Sequence, residues 1–443
     1  MVWSLVVWII TALLILGVLT QRWWEPRLAD KRFDLRAFPW RWYFAGFPAV
    51  AIRMRWRWKQ VCLINDLSIS RQPRRTVVGD MVVKGDALRQ VMPRIGLPHV
   101  TPTGLVVRIR LNQGQTPAPF LAAAEALEHA WEVHRVRVTS PRRREVLVTV
   151  TARDPLAEEP MSEVAHRPKV LLARVGRIED GGAWVLDFKK VPHWLVVGAT
   201  RSGKSTLLAA LVRELAPQPV ALVGIDCKGG MELGLFGRRL SALASTRKEA
   251  GALLVALVDE ISKRMAQCRS AQVRSVWELP DAERPVPVVV LVDELAELYL
   301  TDGSRESRDE AARCSTHLLR LAQIGAALGL HLVVSGQRVG SDLGPGVTAL
   351  RAQLGGRIAH RVNDPTTAEM ALGDLSPEAV DVAQLITEEE QGVAVTTIGG
   401  RWMRARSVLT TTEEARQTAA ESAHLAPELP VLVEAINKEG GNA

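Results

Sequence analysis

Residues 191–208 read VPHWLVVGATRSGKSTLL. The apolar run Trp194–Val197 gives way to Gly198-Ala199-Thr200-Arg201-Ser202-Gly203-Lys204-Ser205, followed by the helix-forming Thr206-Leu207-Leu208-Ala209-Ala210-Leu211. This is strand, glycine loop and helix, and the eight middle residues fit G-x-x-x-x-G-K-[ST]. The spacing suits phosphate. Two glycines let successive backbone N–H groups converge, and the helix that follows adds the positive end of its dipole. Gly198 to Thr206 is therefore the expected nucleotide cradle, with Lys204 reaching the β- and γ-phosphates and the Ser205 hydroxyl facing Mg²⁺.

Around this loop the pattern is repeatedly strand then helix, which predicts an α/β fold with a mainly parallel sheet flanked by helices. Strands are expected at 220–226, 286–293, 331–336, 357–362 and 393–397. Long helices are expected at 247–269, where Ala250, Leu253, Leu254, Leu257, Val258, Ile261 and Met265 recur at helical spacing, and at 308–328. The strand Pro287–Val292 delivers Asp293 and Glu294 at its C-terminal end, the end that faces the ligand crevice of an open parallel sheet. Asp293 is placed to hold Mg²⁺ through water, and Glu294 to orient or deprotonate an attacking water. Together with the loop these acids point to ATP hydrolysis. Gln337, in Ser335-Gly336-Gln337-Arg338 after the next strand, is the candidate γ-phosphate sensor; a turn residue bonded to nearby backbone is the alternative.

Upstream, residues 2–21 contain no charge and are apolar all round, long enough as a helix to span a bilayer. Arg22, Arg27, Lys31, Arg32, Arg36 and Arg41 all follow, which places the rest of the chain in the cytoplasm by the positive-inside rule. A single-pass anchor over 1–22 is expected, with a basic, Trp-rich membrane-proximal region over 23–103 holding an interfacial or re-entrant patch at Trp42–Ile52. The alternation Arg53-Met54-Arg55-Trp56-Arg57-Trp58-Lys59 suits either anionic headgroups or an ordinary amphipathic strand. A small β-α-β-β module is expected over 104–153, a linker over 154–170, the motor over 171–410 and a short tail over 411–443. Arg142-Arg143-Arg144, in the module's hairpin, either grips phosphate or is simply a solvated turn, the usual fate of such a run.

The four cysteines lie far apart and indicate neither zinc site nor disulfide framework. The formal charge of +8 is unevenly spread: +7 over 1–60, +4 over 61–160, +1 over 161–170 and −4 over 171–443. Bulk charge therefore gives the nucleotide-binding part no hold on nucleic acid; contacts there must be local.

These motifs resemble the FtsK/SpoIIIE-type DNA translocases. Val191–Gly198 is similar to that family's M-P-H-L-L-V-A-G, Ile225-Asp226-Cys227-Lys228 with Glu232-Leu233 to I-D-P-K-x-x-E-L, and Val292–Leu298 to V-D-E-F-A-D-L. Gly329–Arg338 resembles G-I-H-L-V-L-A-T-Q-R, and Gly356–Val362 resembles T-R-I-A-F-x-V. The resemblance implies a RecA-like P-loop NTPase motor that pumps double-stranded DNA through a homo-hexameric ring, with ATP between subunits and an arginine supplied across each interface. Arg357 and Arg264 are the candidates for that arginine, buried structural roles being the alternative. Cys227 replaces the family's Pro, and Arg201 a frequent Gly. After Arg406 too few residues remain for the family's winged-helix domain, so the expectation is that sequence-directed DNA loading is either lacking or delegated to a partner protein. The single anchor looks more like the transfer proteins of actinobacterial conjugative elements. The rival reading is a protein-export motor of the type VII secretion class, which resembles the same family.

Overall fold

The computed structural model describes residues 42–71, 89–101, 103–152, 154, 156, 170–373 and 377–440. The expected membrane anchor at 1–22 and most of the expected linker lie outside them. Among the described residues no helix is long and apolar enough to cross a membrane. The chain divides into two compact units at Pro155/Leu156.

The first unit begins earlier than the sequence pattern indicates. Helix α1 (Phe47–Ile64) buries Val50, Met54, Trp58, Val61 and Cys62, a helical stripe hidden inside an alternation that reads as period two. The strand expectation for Arg53–Lys59 is thus corrected. A two-stranded sheet, β1 (Ile69–Arg71) with β2 (Arg89–Val91), follows. The main sheet contains β3 (Arg94–Ile95), β4 (His99–Val100), β5 (Gly104–Arg110), β6 (Arg135–Arg142) and β7 (Glu145–Thr151), in the order β3-β5-β7-β6 with β4 also on β5. Where one helix was expected there are two, α2 (Ala118–Ala122) and α3 (Ala124–Trp131).

Met54, Trp58, Leu127 and Trp131 pack with Leu105, Val107, Ile109 and Val148 into one core, so the boundary expected at 103/104 is not a structural one. Arg53 and Arg57 are used inside this unit. They donate to the carbonyls of Trp131 (3.0 Å) and Ala130 (2.7 Å) at the end of α3 and pair with Glu132, where cations complement a helix C-terminus. Nor is the patch at Trp42–Ile52 a free interfacial segment: the Trp42 indole N–H donates to the Thr101 carbonyl at 2.7 Å.

In the second unit the elements run β8 (Leu172–Ile178), β9 (Ala183–Asp187), β10 (His193–Val197), α4 (Lys204–Leu215), β11 (Ala221–Ile225), β12 (Leu240–Ala244), α5 (Arg247–Ser270), β13 (Val288–Val292), α6 (Arg305–Ile324), β14 (Leu330–Gly336), α7 (Val347–Gln353) and β15 (Gly356–His360). They continue through α8 (Pro365–Leu372), α9 (Pro377–Gln384), β16 (Val393–Ile398), β17 (Arg401–Ser407), α10 (Thr412–Glu421) and α11 (Pro430–Gly440). One ten-stranded sheet has the order β12-β11-β13-β14-β10-β15-β16-β17-β8-β9. Its first six strands are parallel, and the rest extend it antiparallel.

Strands buried on both faces read as continuous apolar runs, and alternation divides their side chains between two cores. Leu195, Val197, Val290 and Val292 face α5, α6 and α8. Trp194, Val196, Val289 and Leu291 face α4, α10 and the β8–β9 hairpin. Residues 411–443 are therefore more than a tail: Ala415 and Ala419 of α10 belong to the second core, and Leu432 of α11 to the first.

Three buried histidines set a pH dependence. Burial pushes the pKa values of His193, His331 and His360 down from 6.5 to about 4. The unfolded chain then binds more protons than the folded one between these values, so stability falls as pH drops from about 6.5 toward 4, by up to about 1.4 kcal/mol per pH unit for each histidine. Thermal melts at pH 7 and pH 5 should show a lower Tm at pH 5, and His360→Gln should shrink the difference.

Candidate functional site

The loop from Gly198 to Gly203 leaves the C-terminal end of β10 at the centre of the sheet. Its first residues are tied down on both sides: Gly198 N–H donates to the Gly336 carbonyl (3.3 Å) and Ala199 N–H to that of Arg361 (2.8 Å). Gly203 has φ +115° and packs on a second glycine, Gly392, whose N–H donates to the Ser202 carbonyl at 3.0 Å. A Cβ on Gly203 would lie 2.6 Å from the Gly392 Cα. Helix α4 starts at the next residue, so its unpaired N–H groups open toward the loop.

The Lys204 ammonium folds over this loop, donating to the carbonyls of Gly198 and Ala199 (the latter 3.3 Å). Burial lowers its pKa, opposed by the charges of Glu294 and Asp293.

Because β14 lies between β10 and β13, Gln337 falls between the loop and the two acids. Its backbone N–H donates to Glu294 Oε1 at 3.1 Å, and its side-chain oxygen faces the Thr200 hydroxyl at 3.5 Å. The side chains of Asp293 and Glu294 are 9% and 7% exposed. Burial raises the pKa of Asp293, against the opposing pull of Lys228. Ala199, Thr200, Arg201, Gly203, Lys204, Ser205, Thr206, Asp293, Glu294 and Gln337 line one pocket of about 380 Å³. Ser202 is buried beneath it.

The same pocket is lined by Lys228, Glu232 and Gln391, to which the sequence pattern assigned no role. Lys228 Nζ lies 3.4 Å from Asp293 Oδ2 and 3.7 Å from Glu294 Oε2. Burial works against its charge, but the two carboxylates outweigh it and its pKa rises. What aims Lys228 is Asp226. This fully buried carboxylate accepts from the N–H groups of Lys228 (3.2 Å), Glu232 (2.8 Å) and Leu233 (3.0 Å), closing a turn through Gly229 and Gly230, both at positive φ. The fragment D-C-K carried the signal. Cys227, at the family's proline position, is a protonated thiol whose pKa burial pushes up to about 12.

Arg264 and Arg357 are not brought to this pocket. The Arg264 guanidinium donates to the carbonyls of Leu328 (2.9 Å) and Val286 (3.0 Å) and to Glu260 (2.8 Å). That of Arg357 donates to the Arg351 carbonyl at 2.8 Å. Both side chains are buried in this chain.

Arg201 adopts φ +60°, a left-handed conformation that costs a non-glycine residue roughly 1 kcal/mol. Arg201→Gly should therefore raise the melting temperature of the nucleotide-free protein by roughly 1–3 °C. An unchanged or lower Tm would show that the arginine side chain compensates for the strain.

Loop, helix, acidic strand end and intervening strand together define a P-loop ATPase. Residues 35–152 match the actinomycete conjugal transfer protein N-terminal domain, and residues 156–283 and 277–341 match the FtsK/SpoIIIE family. The chain is 44% identical over 355 residues to the transfer protein TraSA of Streptomyces ambofaciens, covering 77% of this chain and 84% of that one. It is 47% identical over 269 residues to a sporulation regulatory protein of Streptomyces azureus, covering 60% and 88%. It is also 30% identical over 240 residues to a Campylobacter jejuni DNA translocase FtsK, covering 51% of this chain and 24% of the relative. A solved structure of the pCW3 conjugation coupling protein TcpA, in monomer form with ATPgS, shares the fold at TM-score 0.54 and 21% identity, over 75% of this chain and 93% of that one. The chain belongs to the FtsK/SpoIIIE family, in the branch that carries the actinomycete conjugal transfer N-terminal domain.

Proposed function

We propose that this protein is a membrane-anchored, ATP-driven motor that moves double-stranded DNA between cells in conjugation, working as a homo-hexameric ring with its motor in the cytoplasm. The observation that carries the proposal is one pocket holding phosphate loop, paired carboxylates and bridging glutamine, in a chain whose first unit matches a conjugal transfer domain. The name of the S. ambofaciens relative, a transfer protein, and that of the C. jejuni relative, a DNA translocase, support the cargo assignment.

The pocket suits a Mg²⁺–nucleotide. Ser205 and Asp293 offer hard oxygen donors, few enough to leave coordination places to phosphate and water, as Mg²⁺ prefers. Bound there, Mg²⁺ would neutralise phosphate charge. Lys204 exchanges its loop carbonyls for phosphate oxygens, and the N–H groups at the start of α4 hold the β-phosphate. Glu294 orients the water and takes its proton. Gln337, bonded through its own N–H to Glu294, connects that carboxylate to Thr200 on the loop.

The purified full-length chain in detergent should hydrolyse ATP faster when double-stranded DNA is added, and Lys204→Ala should abolish both rates. ATPase indifferent to DNA, or equal in Lys204→Ala, counts against the motor. A reporter fused at residue 60 should read cytoplasmic; an extracytoplasmic reading would reverse the proposed topology.

A further inference from the structure

The arginines of the β6–β7 turn do not stand alone. Arg94 is the register partner of Arg110 across β3 and β5, Arg110 is the partner of Glu145 across β5 and β7, and Arg108 lies one pleat away. The turn is drawn to the same edge, since the Leu111 N–H donates to the Arg144 carbonyl at 3.0 Å. Gly96 closes the other side: its N–H donates to the Arg108 carbonyl at 2.7 Å, and a Cβ there would stand 3.0 Å from that oxygen. The result is an open groove of about 450 Å³ whose walls carry Arg94, Arg108, Arg110, Arg143 and Arg144.

Strand alternation explains why the charge is gathered here. Leu105, Val107 and Ile109 turn into the core under α1 and α3, so Arg108 and Arg110 turn to the uncovered face. The unit's acids go elsewhere. Glu125, Glu128 and Glu132 all lie on or at the end of α3, Glu132 holding Arg53 and Arg57 and Glu128 accepting the Val136 N–H. Among the described residues Glu145 is the one acid that lines the groove, 3.5 Å from Arg108. Arg94, Arg110, Arg143 and Arg144 form no ion pair among the described residues.

The geometry points to a binding site for the phosphodiester backbone of double-stranded DNA in this groove, outside the ATPase unit. The inference rests on the proposed translocase function and says where part of the DNA grip lies. Several like charges in a concave wall reinforce one another's field. All five are arginines, whose planar fork matches phosphate oxygens two at a time. Among the described residues the groove's only sizeable apolar side chains are Ile95 and Ile109 and it contains no aromatic ring, so it offers little to insert into a lipid surface. The second unit is net acidic over 171–443, so any electrostatic hold it has on DNA must be local, whereas this groove gathers its cations on one face.

The test compares wild type with the combined variant Arg108→Gln, Arg110→Gln, Arg143→Gln and Arg144→Gln, and with the same four positions changed to Lys. Each is assayed as the full chain in detergent for binding of a fluorescent random-sequence duplex across a salt series, for basal ATPase and for binding to phosphatidylglycerol vesicles. The glutamine variant should bind duplex roughly 10- to 100-fold more weakly at physiological salt, with a log–log salt slope smaller by about 3. The lysine variant, which keeps the charge but not the fork, should keep the wild-type salt slope and bind only a few-fold more weakly, and basal ATPase and vesicle binding should be unchanged in both. Equal duplex affinity and slope in wild type and glutamine variant would overturn the site while leaving the translocase reading intact. Loss of vesicle binding with duplex binding retained would overturn it in favour of anionic lipid. A wild-type chain that binds no duplex at all would instead remove the translocase reading on which the site depends.

Discussion

Glu294→Gln should lower ATP turnover by about 10²- to 10⁴-fold while nucleotide affinity changes only a few-fold. The side chain is 7% exposed, faces Lys228 at 3.7 Å and accepts the Gln337 N–H at 3.1 Å. An amide of the same shape keeps the last contact through its oxygen but cannot take a proton from the attacking water. Lys228 keeps Asp293 as its partner, so the pocket should hold its form. Steady-state ATPase alongside titration with a fluorescent ATP analogue separates the two effects. A loss smaller than tenfold, or one explained by weaker binding, would remove Glu294 from the chemical step.

Gly203→Ala should be nearly as damaging for a different reason. At φ +115° any L side chain is strained, by roughly 1–3 kcal/mol. The new methyl would also meet the backbone of Gly392 at 2.6 Å, and a backbone neighbour cannot turn aside as a side chain can. Overpacking of this kind adds about 1–3 kcal/mol. Relief must come from moving the loop that positions phosphate, and displacement of about 1 Å at a reacting centre costs roughly 10²-fold. Both Tm and ATP affinity should fall. Normal ATP affinity in a destabilised protein would mean that the strain is absorbed at Gly392 instead.

The parts of the site carried by local pattern were legible in the sequence. The loop from Gly198 to Ser205 and the acids at the end of β13 are each fixed by a few adjacent residues, and the run 247–269 matched α5 because its periodicity is undiluted. Gln337 could be named because it follows a buried strand. Its contact with Glu294 depends on β14 lying between β10 and β13, which no local pattern contains. Lys228 was missed for the same reason, since its partners are 65 and 66 residues away, on a strand that only the sheet order makes its neighbour.

Other failures were of period and capping. In α1 the alternation of cations with large side chains masked Val50, Met54, Trp58 and Val61, whose helical spacing the packing on β5 then selects. The final helices carried a readable signal in Thr411-x-x-Glu414, a capping box that starts α10. Buried roles for Arg264 and Arg357 depend on which carbonyls face inward, which only the folded chain fixes. The solvated-turn reading of Arg142–Arg144 considered that run alone, without Arg94, Arg108 and Arg110, which the sheet register brings to the same edge.

Movement along DNA is the central claim, and displacement of a triplex-forming strand measures it most directly. A duplex carrying a bound third strand is incubated with the full-length protein, and release of that strand is followed with and without ATP. The account predicts ATP-dependent release by wild type and none by Lys204→Ala or Glu294→Gln. A wild-type protein that hydrolyses ATP at a DNA-stimulated rate yet releases no third strand, or release that persists in Lys204→Ala, would contradict it.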